Sequence, residues 1–237
     1  LADSKLKQRN HHLQRIIQNF ATMEGSFEQY PQLRQHFHFE RFNRMQEECL
    51  PLLMATNSNI VVSAPTATGK TVLFELALLK QFKEKPRFRA AYLAPIKSLC
   101  QQKTEEWKEA FKQLKVCEMT GDTLDEDTHD LQNSNLIVAT PEKLDSITRR
   151  SFAKTDFDLL LIDEIHMLSV EGRGACLEAV VTRIMTLNSK VRVVAASATI
   201  PNIQDLAKWL KVPNDSIKTF GEEYRPIQIR RHVMGYP

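Results

Sequence analysis

No stretch of this sequence approaches the roughly 20 consecutive apolar residues needed to cross a bilayer, and no membrane partner is expected. The opening LADSKLKQRNHHLQ is polar and basic, without the apolar centre of a secretory signal. The four cysteines, Cys49, Cys100, Cys117 and Cys176, stand far apart and form no CxxC pair. That spacing speaks against a disulfide framework and against zinc, and fits reduced thiols in an intracellular protein. Neither sign of charge dominates: the net of +3 neither requires nor excludes a nucleic-acid partner, so local basic clusters matter more than the total. Internal repeats and low-complexity linkers are absent. What is left is 237 residues, 42% hydrophobic and 26% charged, enough for one good core with an extension.

The first stretch, residues 1–29, has apolar positions at Leu6, Leu13, Ile16, Ile17 and Phe20, which predict an N-terminal amphipathic helix. Residues 30–44, YPQLRQHFHFERFNR, are aromatic and basic with weak periodicity. Beyond them the chain alternates. Apolar, β-branched runs occur at 59–65, 89–95, 135–140, 157–163 and 191–197, and helical stretches at about 70–83, 98–114, 141–150, 173–187 and 202–211. Runs so uniformly apolar predict strands buried on both faces, as in a parallel sheet. Their alternation with helices predicts βαβ units. The expected fold is α/β, a doubly wound and mostly parallel sheet with ligand chemistry at the carboxyl ends of its strands. The tail IQIRRHVMGYP, 227–237, reads as an exit strand or linker leaving the domain.

The segment SAPTATGKT, 63–71, follows a predicted buried strand and opens a predicted helix. This is the setting of a phosphate-binding loop, in which backbone N–H groups and a helix N-terminus face phosphate oxygens. Ala64, Pro65, Thr66, Ala67, Thr68 and Gly69 form the loop, Lys70 would reach the β- and γ-phosphates, and the Thr71 hydroxyl would hold Mg²⁺. The loop has a single glycine. Ala64 takes the leading glycine position, and Ala67 sits where a second glycine is frequent. A positive φ at Ala67 would cost roughly 1–2 kcal/mol, and Ala67→Gly would then tighten nucleotide binding. The bland alternative is a plain strand-to-helix turn with a surface lysine.

A second strand end decides between them. LLLIDEIH, 159–166, delivers Asp163 and Glu164 to the carboxyl end of an apolar run. Asp163 can hold Mg²⁺, and Glu164 can orient and deprotonate an attacking water. Two carboxylates capping the next helix are the alternative, but two such sites in this order are hard to obtain by chance.

DEIH together with Ser197, Ala198 and Thr199 resembles the DExH-box helicases of superfamily two. Further words fall in that family's order. RFNRMQ (41–46) is similar to the Q motif, with Gln46 as its adenine-reading glutamine, and APIKSL (94–99) to motif Ia. TGD (120–122) is similar to the Ib region, ATPEKLD (139–145) to the strand-gripping motif after it, SATIPN (197–202) to motif III, and YRP (224–226) to the exit segment. SAPTATGKTVLFELALL, DEIHML, RGACLEAVVTRI and SATIPNIQDLAKWL resemble the Ski-type helicases. RGACLEAVVTR and FGEEYRP are most similar to its meiotic crossover-promoting, Mer/Hfm-type members.

This resemblance implies ATP and Mg²⁺ as cofactors and a nuclear, ATP-hydrolysing motor moving 3′ to 5′ on single-stranded nucleic acid. DNA is expected ahead of RNA, although the residues themselves do not separate the two. It implies that residues 30–226 are the first of two RecA-like domains, with arginine fingers supplied by a second such domain of the same full-length protein. No QxxGRxGR-like motif occurs in these residues, so the chain alone is expected to hydrolyse ATP slowly. His166 would couple the ATP site to Ser197 and Thr199. Nucleic acid would meet Pro95, Lys97 and Ser98; Thr120, Gly121 and Asp122; and Thr140, Pro141 and Lys143, through lysines, hydroxyls and backbone N–H groups that do not read sequence. Thr140 also reads as an N-cap followed by a first-turn proline. The pairs Arg149–Arg150 and Arg230–Arg231 rank behind these as solvated faces, and Trp107 and Trp209 read as packing residues. A nucleotide-gated scaffold with a degraded loop is the main rival function. A metabolic kinase leaves SATIPN and ATPEKLD unexplained.

Overall fold

The computed structural model describes residues 26–121, 133–150, 156–227, 229 and 232–235. The predicted N-terminal helix, with His11 and His12, and the residues Asp122, Arg230 and Arg231 lie outside them. The chain forms two compact units, residues 1–43 and 44–237. In the first, a turn of helix at Ser26–Gln29 and a 3-10 turn at Pro31–His36 carry a cluster of phenylalanines. Ring centroids lie 4.7 Å apart for Phe27 and Phe42, and 5.1 Å apart for Phe37 and Phe39.

The second unit is built on seven strands: β1 (Ile60–Ser63), β2 (Ala90–Leu93), β3 (Val116–Met119), β4 (Leu136–Ala139), β5 (Leu159–Ile162), β6 (Arg192–Ser197) and β7 (Ile217–Thr219). Their order is β3-β4-β2-β5-β6-β1-β7, and every pairing is parallel. All four residues of β1, β2, β4 and β5 are buried, as helices on both faces of a parallel sheet require. The helices are α1 (Arg44–Ala55), α2 (Thr71–Glu84), α3 (Lys97–Ala110), α4 (Pro141–Arg150), α5 (Arg173–Leu187) and α6 (Ile203–Trp209). A continuous core runs through Val61, Ile137, Leu160, Val181, Val193 and Ala195. Among the described residues, no helix is long and apolar enough to cross a membrane.

The five strands and five helices expected from periodicity are present, with ends shifted by a few residues. Three elements escaped that reading. β3 and β7 are the sheet edges, and their half-buried VCEM and IKT lack an apolar run. α1 contains Pro51, and distant side chains hold its end. Arg192 on β6 donates to Leu53 O at 3.1 Å and Ser58 O at 3.3 Å, while Lys80 donates to Thr56 O. Burial pushes the Arg192 guanidinium down to about 10. Of the tail read as an exit strand or linker, the described residues 227, 229 and 232–235 belong to no strand. Ile227 and Val233 are 81% and 97% exposed.

Strand order fixes the chemistry. β6 lies between β1 and β5, so the loop after β1 and the acidic pair after β5 emerge from the same sheet edge, either side of Ser197. The ladder continues past the strand ends: Ala64 N–H donates to Ser197 O at 3.1 Å, and Asp163 N–H to Leu93 O at 3.0 Å.

Candidate nucleotide site and adjoining groove

The loop between β1 and α2 is wound tightly enough to force two residues into the left-handed region, Ala67 at φ 62° and Gly69 at φ 78°. Thr68 Oγ1 donates to Pro65 O at 2.8 Å, and Gln46 Nε2 to Gly69 O at 3.0 Å. Gln46 is buried on α1, so its amide braces the loop from below. Lys70 folds back into the bowl of the loop, donating to Ala64 O at 2.9 Å and Pro65 O at 3.1 Å. Burial pushes its ammonium below the usual lysine range, and Glu164 and then Asp163 pull it partly back. That mutual influence places Lys70 and both carboxylates in one electrostatic neighbourhood. No side chain caps the N-terminus of α2, which begins at Thr71, and no acidic residue lies in its first turn. Val72 and Leu73 N–H donate to Gly69 O at 3.2 Å and Lys70 O at 3.0 Å, so what the end of α2 offers an anion is chiefly its positive dipole.

At the end of β5, Asp163 Oδ1 accepts the Glu164 N–H at 2.9 Å. Glu164 adopts φ 47°, a left-handed bend that turns the chain into the 3-10 segment Ile165–Ser169. His166 Nδ1 accepts the Ala198 N–H at 3.3 Å and lies 3.2 Å from Glu164 Oε2. With Nδ1 occupied as an acceptor, the second contact carries no hydrogen bond, and Glu164 Oε2 remains a buried acceptor without a donor. A buried orphan carboxylate oxygen is costly, and a water or ligand hydroxyl beside it would satisfy it. The donor set therefore fits a nucleotide with its divalent ion: Lys70 and the α2 N-terminus for phosphate, Thr71 and Asp163 for a hard cation, Glu164 for a water.

His166 reaches the β6 turn through the Ala198 backbone, not through the hydroxyls of Ser197 or Thr199. Ser197 Oγ is buried without a partner, and Thr199 is exposed. Ser63 Oγ secures the same turn, donating to Ala198 O at 3.2 Å and accepting the Ile200 N–H at 3.4 Å.

The other half of the sheet edge carries a groove of about 580 Å³, lined by Lys97, Gly121, Thr140 and Lys143 together with Ile96, Glu142, Ser146, Arg150 and Arg173. Thr140 Oγ1 accepts the Lys143 N–H at 3.4 Å, giving α4 its N-cap. Gly121 lies so close to Lys97 that a Cβ there would meet Nζ at 3.2 Å. Thr120 and Pro141 are buried behind the groove, and Ser98 faces outward on α3 without lining it. Pro95 lends its carbonyl, not its ring: Arg173 donates to Pro95 O and pairs with Glu142 Oε1 at 3.0 Å. Burial opposes the charge of Glu142, yet bonds from its own backbone and from Arg173 hold its carboxyl below the usual range.

Arg150, read from the sequence as a solvated face, is exposed and lines the groove, and so does Arg173, which that reading did not name. The same reading also missed Arg225, whose Nη1 donates to the loop carbonyl of Thr66 at 2.6 Å. Spacing gives no signal for contacts across 159 residues. Trp107 and Trp209 do pack: Trp107 is fully buried, and Trp209 Nε1 donates to Thr182 Oγ1 at 3.0 Å.

A family model described as DEAD/DEAH box helicase matches residues 43–206. The chain is 44% identical over 211 residues to the ATP-dependent DNA helicase MER3 of Saccharomyces cerevisiae, covering 84% of this chain and 18% of that protein. It is 40% identical over 249 residues to the ATP-dependent DNA helicase homolog MER3 of Arabidopsis thaliana, covering 93% and 21%. With the probable ATP-dependent DNA helicase HFM1 of Homo sapiens it shares 37% over 253 residues, covering 96% and 18%. It thus spans about a fifth of the length of the curated relatives it matches. Among solved structures, the DUF1998 helicase MrfA bound to DNA and AMPPNP superposes with a TM-score of 0.66 at 22% identity, over 80% of this chain and 28% of that one. That likeness carries the RecA-like fold. With the matched model spanning more than half of its residues, the chain belongs to the DEAD/DEAH box helicase family.

Proposed function

We propose that this chain is the first of two RecA-like motor domains of an ATP-dependent DNA helicase. The motor moves 3′ to 5′ on a single strand and serves meiotic recombination in the nucleus. One observation supports the reading above the others: in the strand order β5-β6-β1, the acidic pair after β5 and the loop of Lys70 and Thr71 after β1 flank the carboxyl end of β6.

In this reading Lys70 exchanges its two carbonyl partners for phosphate oxygens, and the uncapped α2 N-terminus receives the remaining negative charge. Gln46 faces the base from α1. Glu164 takes a proton from the attacking water through the oxygen that now lacks a donor. Thr71 and Asp163 would hold Mg²⁺, which when bound supplies positive charge to the transferring phosphoryl group. His166 stands between Glu164, 3.2 Å away, and the Ala198 N–H that it accepts, so a change at the phosphate end that moves the imidazole reaches the β6 turn. Lys97, Thr140, Lys143 and the Gly121 backbone meet the phosphates of the strand. Arginine fingers come from the second domain and are worth about 10³–10⁵ in rate, so the chain by itself turns over slowly.

The relatives' names support DNA as the substrate, and the MrfA structure supports nucleic acid on a domain of this fold. Lys70→Ala in the full-length protein tests the reading. ATP-driven strand displacement is expected to fall by at least about 10²-fold, the scale of losing one buried charge-stabilising donor. Displacement that survives the substitution rules the motor out.

A further inference from the structure

The site contains one buried titratable side chain to which the chemistry above gives no role. Tyr92 lies on β2, fully buried, and its hydroxyl donates to Asp163 Oδ2 at 2.6 Å. Its register partner on β5 is Leu161, two residues before the aspartate. Two edge-to-face contacts fix the ring. Phe74 of α2 stands 5.4 Å away at 73°, and Trp107 of α3 stands 4.8 Å away at 80°. Trp107 is itself anchored, donating from Nε1 to Glu75 Oε1 at 3.0 Å.

A carboxylate at the end of a strand rotates easily about its terminal torsion. Here both oxygens of Asp163 are gripped, Oδ1 by the Glu164 N–H and Oδ2 by Tyr92. A residue that only filled the layer between β2 and its helices could be phenylalanine, as its neighbour Phe74 is. The hydroxyl is spent on a carboxylate at the edge of the site. We infer that Tyr92 is a positioning residue that fixes the plane of the Asp163 carboxylate and thereby sets the magnesium-dependent part of nucleotide affinity. The inference rests on the reading of Asp163 as a magnesium-holding group. Partners that orient a metal ligand in this way are typically worth about 10–100-fold in metal affinity or activity.

The test is a titration of the full-length protein with ADP, once in MgCl₂ and once in EDTA, followed by calorimetry. The ratio of the two dissociation constants isolates the magnesium contribution. Tyr92→Phe is expected to shrink that ratio by about 10-fold while leaving the EDTA constant unchanged. Tyr92→Met, a second side chain without a hydroxyl but of different shape, is expected to do the same, and melting curves identify which variants are folded. A ratio equal to the parent's in either folded variant overturns the inference. Asp163→Asn separates this from failure of the underlying reading. If Asp163→Asn collapses the ratio and the Tyr92 variants do not, only the positioning role falls. If Asp163→Asn also leaves the ratio unchanged, the magnesium reading of Asp163 falls with it.

Discussion

The carboxyl edge of one sheet carries two regions built on opposite lines. Around β5, β6 and β1 the polar groups are buried or half-buried and several are bonded to one another, while Glu164 Oε2 and Ser197 Oγ are left without a donor or partner. Lys70 sits on loop carbonyls, Asp163 takes donors from Glu164 and Tyr92, and two non-glycine residues, Ala67 and Glu164, are held in left-handed conformations. Around β3, β4 and β2 the backbone at the groove is ordinary. The charges there stand on the exposed Lys97 and the half-buried Lys143, beside the Arg173–Glu142 pair at the rim. A ligand with one geometry justifies strain and desolvation, because the protein organises its donors before the ligand arrives. A polymer read only by its phosphates needs charge at roughly the right spacing and tolerates movement.

The widest gap between the two regions should appear with Glu164→Gln. The hydrolysis rate of the full-length protein is expected to fall by about 10²–10⁴, with strand binding in the absence of nucleotide unchanged. Weaker strand binding under those conditions would show that the regions are not separate. The converse substitution, Lys97→Ala with Lys143→Ala, should leave ADP affinity intact. It should also flatten the salt dependence of single-strand binding, reducing the slope of log K against log salt by about 1.4 for two lost contacts. An unchanged slope would remove both lysines from the interface.

Ala67→Gly probes the strain itself and has the smallest expected effect. At φ 62° Ala67 is left-handed, a conformation that glycine adopts without a Cβ penalty. Stability should change by no more than about 1 kcal/mol, since relief of roughly 1–2 kcal/mol is opposed by the roughly 0.5–1 kcal/mol entropic cost of glycine. Chemical denaturation of the two proteins measures the difference.

Much of the fold was legible because a doubly covered parallel strand must be apolar at every position, as IVVS, AAYL, LIVA and LLLI are. The edge strands were not legible, since one unpaired side relaxes that demand. Nor was α1, whose proline argues against a helix and whose end depends on Arg192 from more than a hundred residues away. At the candidate site, the residues carried by a contiguous motif could be named in advance. Tyr92, Arg173 and Arg225 could not, because each acts on an atom remote in sequence.

The sequence by itself determined the alternation of buried strands and helices, and it put a lysine and hydroxyl after one strand and a carboxylate pair after another. Those are local consequences of side-chain polarity and of the turn that follows each strand. Only the tertiary structure decided that β6 would lie between those two strands, that His166 would meet a backbone N–H and not a hydroxyl, and that a phenol from β2 would hold the aspartate. Strand order and cross-strand hydrogen bonds depend on which buried surfaces pack together, and no short window of residues contains that information.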